Sequence, residues 1–187
     1  MIVIASMWED VMKSLKLILL TIMLIAAVFA SAREFRIYGI GESVNKFSEL
    51  AAYGTAGEMI LYGAPDVPAQ YNGIFSPDLK IVADKESIIR AKSLSVIQKP
   101  QAYALEVFDA WVERLSEVLD EPTAILVEGV PSDHPQDLET ILKDFQTAGT
   151  SLNAIFLGKT STNIVTLKRY PSEGAFTYDV TVYMTDK

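Results

Sequence analysis

The sequence contains no cysteine and a single histidine, His134, in 187 residues. Without thiols the chain has neither a disulfide framework nor a cysteine nucleophile, and one imidazole cannot complete the nitrogen and sulfur ligand sets that zinc prefers. His134 follows an aspartate that is well placed to cap a helix and precedes a proline, which is typical of an exposed first helical turn. We therefore expect no catalytic residues, no cofactor and no metal centre built on histidine or cysteine.

The motifs of nucleotide binding and of serine hydrolysis are also missing. Gly39 and Gly41 follow a predicted strand, but position 44 is valine where the Gly-x-Gly-x-x-Gly pattern needs its third glycine. No Gly-x-Ser-x-Gly sequence occurs. Basic residues are also few, and the net charge of −8 repels nucleic acid phosphates. These features predict a protein that is not an enzyme and has no nucleic acid partner.

Long apolar runs are rare as well, and the longest one lies near the start of the chain. Residues 17–30 form an apolar stretch preceded by two lysines and followed by the small residues Ala30-Ser31-Ala32. As a helix this stretch reaches about 21 Å, whereas the hydrocarbon core of a bilayer is about 30 Å thick. The pattern predicts a signal peptide over residues 1–32 that is cleaved after Ala32, with Met12 as the suspected initiator. A retained N-terminal anchor is the alternative.

Cleavage after Ala32 would release an acidic domain of ordinary size into the periplasm or the medium, with no stable membrane anchor. The sequence pattern of secondary structure is clearest in the C-terminal half of that domain. Residues 100–119 are predicted to form an amphipathic helix, because apolar residues recur at steps of three and four. This stripe consists of Ala104, Phe108, Trp111, Leu115 and Val118.

Residues 123–185 are predicted to fold as a β-α-β-β-β unit. The strands are expected at 123–130, 152–157, 162–169 and 175–185, and the helix is expected between Asp133 and Gly149. In the last strand apolar residues alternate with polar ones from Phe176 to Thr185, which predicts one buried and one solvent-facing side.

Residues 33–98 are predicted to form an N-terminal α/β lobe. We expect a strand at 34–40, a helix that begins after Ser43, a loop rich in glycine and proline at 63–77, and a strand at 79–83. Residues 84–98 are ambiguous between helix and strand. Residues 99–187 would form a separate α+β unit, or the whole of 33–187 would be one continuous domain. The predicted class is α+β, a mostly antiparallel sheet with amphipathic helices packed on one face.

Two groups of side chains are candidates for binding. Tyr62, Tyr71 and Phe75 lie in or beside the predicted loop, where exposed rings would stack on sugars or dock a partner, although anchoring of the loop to the core is the favoured interpretation. Acidic residues at helical spacing, Glu106, Asp109 and Glu113, would share one face of the helix at 100–119. Such a row could bind a cation or supply an acid and base pair, but a solvated face is the favoured interpretation.

These patterns favour an exported, non-enzymatic module of the cell envelope or extracellular space that acts through protein contact. A regular antiparallel sheet offers a strand edge to a partner protein or to another copy of the chain. One alternative is a carrier for a small ligand, with its pocket between the two lobes. Another is a carboxylate-dependent hydrolase acting on envelope polysaccharide.

Overall fold

The computed structural model describes residues 32–128, 141, 143, 145–146 and 149–187. The predicted signal peptide, apart from Ala32, and His134 lie outside the described residues. Residues Arg33–Lys187 form one compact unit.

The described elements consist of eleven strands, one complete α-helix and two short 3-10 turns, Phe35–Ile37 and Val44–Lys46. In chain order the elements are β1 (Arg33–Glu34), β2 (Ala51–Ala56), β3 (Met59–Gly63), β4 (Ala69–Tyr71), β5 (Ile74–Ser76), β6 (Asp78–Ala83), β7 (Ile89–Lys99), α1 (Gln101–Leu119), β8 (Ala124–Glu128), β9 (Ser151–Leu157), β10 (Ser161–Ser172) and β11 (Ala175–Asp186).

Most strands belong to one large antiparallel sheet with the order β2-β3-β6-β7-β11-β10-β9-β8. A small second sheet has the order β1-β4-β5, and in it β1 runs parallel to β4. Strands from both of the predicted lobes therefore take part in the same large sheet.

The C-terminal strands follow the alternation of their sequence. Val180 and Val182 on β11 are fully buried, while Thr181 between them is partly exposed and shares a hydrogen bond of 2.9 Å with the Ser95 hydroxyl. One face of the sheet is thus apolar and the other carries hydrogen-bonded polar side chains. Phe176 departs from the pattern, since it is 49% exposed at the end of the β10–β11 hairpin. The guanidinium carbon of Arg169 lies 4.5 Å from the centre of its ring.

Helix α1 covers the apolar face and confirms the predicted helix at 100–119. Pro100 precedes its first turn, and the buried side of the helix contacts β7, β9, β10 and β11. The fully or nearly buried residues are Ala104, Val107, Phe108, Trp111 and Leu115. Val118, the last residue of the predicted stripe, is 63% exposed, whereas Leu119 beside it is partly buried against the core, so the buried side of the helix continues through Leu119 and not through Val118.

The predicted α/β character of residues 33–98 is wrong, because no α-helix occurs in this fully described range. Ser43 does act as a cap, but only for the 3-10 turn Val44–Lys46. The chain then enters the β2–β3 hairpin, with Gly57 in the left-handed region at a φ of 62°. A tight hairpin turn favours such a glycine, whereas glycines at 54 and 57 weaken a helix.

The predicted loop at 63–77 is also wrong in part, because it contains β4 and β5. Asn72 and Gly73 join these strands with φ values of 52° and 74°, the geometry of a tight hairpin turn. Ala69 and Ser76 are buried, so the segment is part of the packed structure rather than a surface flap.

The described residues bear on three further expectations. The strand predicted at 34–40 is replaced by the short β1 and a 3-10 turn, because Phe35 and Tyr38, three residues apart, are buried while Ile37 is exposed. Residues 89–98 of the ambiguous segment at 84–98 form most of β7, and residues 84–88 precede it. Of the second predicted helix the structure describes four helical residues, among which Ile141 and Phe145 are buried.

In the described part of the chain, no helix combines the length and the apolarity needed to cross a bilayer.

Candidate functional site

The three aromatic residues that the sequence singled out do not form an exposed surface. Tyr71 is 1% exposed, and its ring packs edge-on against Phe35 with 5.6 Å between centroids. Its carbonyl oxygen accepts a hydrogen bond of 3.0 Å from the indole nitrogen of Trp111. Tyr62 packs against the core, and Phe75 is partly buried. These positions favour the anchoring interpretation, in which the rings hold the β4–β5 region under α1.

The three acidic candidates lie on the exposed side of α1. Glu106, Asp109 and Glu113 are all solvent-exposed, although partial burial raises the pKa of Asp109. Among the residues that the structure describes, no three acidic or histidine side chains are placed to hold a metal ion. The arrangement is that of a solvated helix face.

A first candidate surface is the open side of β2, which we call the β2 edge (Ala51–Ala56). This strand is the last of the large sheet on its side, and every residue except Gly54 is exposed. Its sequence, Ala-Ala-Tyr-Gly-Thr-Ala, has no charged residue and no proline. Exposed edge strands usually carry lysine, proline or a similar device that prevents pairing with another chain. The β2 edge lacks these side chains, although a register shift between Ala52 and Gly54 marks a bulge.

An apolar depression lies beside this strand, and we call it the edge hollow. Its volume is about 250 Å³, and its wall comes from β2, β3, β6 and the two segments that follow β3 and β5. The lining residues are Ala51, Tyr53, Gly63, Ala64, Pro65, Pro77 and Leu79. None of them is charged, so the hollow suits an apolar side chain.

A second candidate lies beside the last two turns of α1, and we call it the Arg36 cleft. It has a volume of about 260 Å³. Apolar residues from α1 and β11 form one part of its wall, namely Leu115, Val118, Leu119 and Met184. Arg36, Tyr71, Ser161 and Asn163 form the rest. The cleft therefore combines residues from the two predicted lobes.

Two buried polar residues flank Met184 on the sheet next to this cleft. The register of the strands aligns Ile81, Lys92, Met184, Asn163 and Phe156 in one row across five strands. Residues opposite one another in antiparallel strands project from the same face of the sheet. Lys92 and Asn163 are each only 4% exposed, so they interrupt an otherwise apolar row on the covered face.

Lys92 is held in this position by Phe35. Its ammonium group donates a hydrogen bond of 2.9 Å to the Phe35 carbonyl oxygen and lies 4.3 Å from the centre of the Phe35 ring. Burial, together with the positive charge of Arg36, lowers the pKa of Lys92 to about 8, although Glu42 acts in the opposite direction. The ammonium form is therefore the major form at neutral pH but is destabilised by its surroundings.

Arg36 adds a second positive charge near Lys92. Its guanidinium carbon lies 5.6 Å from the centre of the Tyr71 ring. Among the described residues, neither Arg36 nor Lys92 has a carboxylate oxygen within 4.0 Å. Arg36 and Lys92 thus place two positive charges on this side of the sheet, where the carboxylates of Glu34 and Glu42 act in the opposite direction on Tyr71 and Lys92.

Sequence reasoning identified neither the β2 edge nor the Arg36 cleft. The sequence predicts a helix after Ser43, in the region where β2 lies, although the lack of charged residues at 51–56 is visible in the sequence. Lys92 and Asn163 gave a weaker signal, since each is a polar residue at an inward position of a strand. That signal becomes readable only when the register of the strands is known.

No protein-family model matches the chain, and no curated protein or solved structure shows significant similarity to it.

Proposed function

We propose that this chain is an exported, non-enzymatic module of the cell envelope or extracellular space that acts through protein contact, with the β2 edge as its contact strand. The observation that carries this proposal is a six-residue edge strand that is exposed and free of charged residues and proline. In the proposal, residues 1–32 are the signal peptide, and the helix between β8 and β9 completes a β-α-β-β-β unit.

The physical basis of the contact is strand addition. The outer side of an edge strand presents backbone N–H and C=O groups that have no partner strand, and a second extended segment can bond to them. The main-chain bonds supply affinity, and a neighbouring pocket that receives a side chain supplies specificity. The edge hollow stands beside β2 and is lined by apolar residues, so it would receive such a side chain.

The partner to which we commit is a second copy of the chain. Pairing two β2 edges about a two-fold axis would place the same strand on both sides of the interface. A two-fold dimer always uses the same surface of both copies in this way. Because β2 is uncharged, this pairing would not oppose like charges on the paired strands, despite the net charge of −8. The charged turn residues two positions before and after β2 are already paired, Glu49 with Arg33 at 3.6 Å and Glu58 with Lys85 at 2.7 Å.

The test is sedimentation equilibrium of the full chain and of the Ala52→Lys variant. We expect the unchanged chain to dimerise and the variant to dimerise about tenfold more weakly, which corresponds to about 1.4 kcal/mol. Lysine on an edge strand opposes pairing because its charged side chain would have to lie against the added strand and lose water.

The matched control is Ala175→Lys, which makes the same change at an exposed alanine in β11, far along the chain from the β2 edge. This control should dimerise like the unchanged chain. A monomeric unchanged chain would contradict self-pairing, and equal weakening by both lysines would show that net charge, not the β2 edge, governs association.

A further inference from the structure

We propose that the Arg36 cleft binds a small carboxylate that carries a short apolar tail. This binding does not depend on the contact function, because the cleft and the β2 edge share no lining residue. The proposal depends on three observations, which are the Arg36 guanidinium without a carboxylate within 4.0 Å, the polar side chains of Asn163 and Ser161 in the lining, and the apolar wall from α1.

The first observation explains the charge of the ligand. Arg36 lines the cleft, is solvent-exposed and has no carboxylate oxygen within 4.0 Å among the described residues, although its side chain also hydrogen-bonds to the Tyr71 hydroxyl. A guanidinium binds a carboxylate through two parallel hydrogen bonds, which gives both energy and orientation. The charge of Lys92, one strand away from Met184, adds to the positive potential on this side of the sheet.

The second observation concerns the polar side chains that line the cleft, Asn163 and Ser161. Asn163 is buried, and its amide nitrogen lies 3.2 Å from the Ser161 hydroxyl, which also lines the cleft. This hydrogen bond offsets the cost of burying Asn163, and the Ser161 oxygen accepts in it, so the Ser161 hydroxyl still has its own proton to donate to a ligand. Asn163 and Ser161 offer polar groups to the carboxylate from the floor of the cleft.

The third observation explains the tail and its orientation. Leu115, Val118 and Leu119 lie in the last two turns of α1, and with Met184 they offer a continuous apolar wall. The last carbonyl groups of a helix carry partial negative charge, which repels an anion. The tail is therefore expected against α1, and the carboxylate beside Arg36.

The volume of the cleft limits the size of the ligand. Pockets for drug-sized molecules range from about 300 to about 1,000 Å³. At about 260 Å³ the cleft falls just below that range, so a short-chain or single-ring carboxylate fits and a long-chain lipid does not.

The test is isothermal titration of the full chain with hexanoate, hexan-1-ol, acetate and hexyl phosphate. We expect hexanoate to bind, and both hexan-1-ol and acetate to bind at least tenfold more weakly. Hexan-1-ol lacks the carboxylate, and acetate lacks the apolar tail. Equal binding of hexanoate and hexan-1-ol would overturn the role of charge. Tighter binding of hexyl phosphate than of hexanoate would overturn the assignment of the headgroup.

Variants locate the binding within the cleft. Arg36→Gln should weaken hexanoate binding at least tenfold, whereas Arg169→Gln should not change it. Arg169 is the matched control because its guanidinium also lies over an aromatic ring, that of Phe176. Arg169 is six residues along β10 from Asn163, so it lies away from the cleft. Unchanged binding in Arg36→Gln would overturn the proposal.

A second variant tests the apolar wall independently of charge. Val118 is 63% exposed, so Val118→Trp should fold normally while its indole ring covers the cleft. We expect hexanoate binding to fall at least tenfold in this variant with no change in the melting temperature. Full binding in Val118→Trp would show that the ligand occupies another place.

Discussion

The centre and the β2 side of the same sheet are built in opposite ways. In the centre, β10 and β11 bury alternate residues beneath α1, and Val165, Leu167, Val180 and Val182 are fully buried. At the β2 side, the β2–β3 hairpin has no fully buried side chain, and Tyr53 is 57% exposed. Hydrogen bonding between strands is continuous across both regions, so the difference lies in what covers them.

This difference indicates which residues serve stability and which are free to serve contact. A buried apolar side chain contributes roughly 1.5 to 3 kcal/mol, whereas an exposed one contributes little. The sheet centre therefore supplies most of the folding free energy. The hairpin can change its side chains at low cost, as is usual for binding segments.

The largest expected effect is at the centre of the helix and sheet interface. Trp111→Ala should lower the free energy of unfolding by about 4 kcal/mol, because it leaves a large cavity and removes the hydrogen bond to the Tyr71 carbonyl. Urea denaturation followed by circular dichroism measures this change. Val118→Ala on the same helix should cost less than about 0.5 kcal/mol, and a similar cost for both would contradict the comparison of buried and exposed positions.

A second prediction compares the two edges of the sheet. At the β8 side, Gly149 is buried, and a Cβ atom there would lie 2.7 Å from the Phe145 Cα and 2.7 Å from a methyl group of Val127. Gly149→Ala should therefore destabilise the protein by about 2 kcal/mol through overpacking. Thermal unfolding measures the effect, and a change below about 0.5 kcal/mol would show that this edge is as open as the β2 edge.

A third prediction concerns the buried ammonium group. The pKa of Lys92 is about 8 in the folded protein, against 10.5 for an ordinary lysine. Between these values the unfolded chain binds more protons than the folded one, so stability rises with pH. From pH 7 to pH 10 the free energy of unfolding should rise by about 2 kcal/mol relative to the Lys92→Met variant.

Urea titrations of both proteins at each pH measure this difference. The variant is the right reference because other titrating groups, including Tyr38 and Tyr71 with their raised pKa values, contribute equally to both proteins. Parallel pH profiles would show that Lys92 is well solvated in the folded protein.

The smallest effect is expected at the exposed hairpin. Tyr53→Ala should change the free energy of unfolding by less than about 0.5 kcal/mol, because the Tyr53 ring is mostly in solvent. Differential scanning calorimetry measures this change at a concentration where the chain is monomeric. A loss above about 1 kcal/mol would mean that the hairpin contributes to the core like the sheet centre.

The regular parts of the fold were predictable from local pattern. The alternation in β11 and the three-and-four spacing in α1 each report one buried face, and the structure confirms both elements. The predicted helix after Ser43 failed because Val44, Phe47 and Leu50 match helical spacing by chance, while Gly57 specifies a hairpin turn. The β4–β5 hairpin was hidden because its strands have only three residues each.

Its amino-acid sequence alone determined the charge of the chain, the absence of cysteine chemistry, and the elements whose side chains repeat with a regular period, because these depend on residues close together in the chain. Only the tertiary structure decided that Tyr71 is buried, that β2 is an edge, and that Lys92 and Asn163 share one row with Met184. The reason is physical, since pairing and register join strands that are distant in sequence, and burial depends on what they bring together.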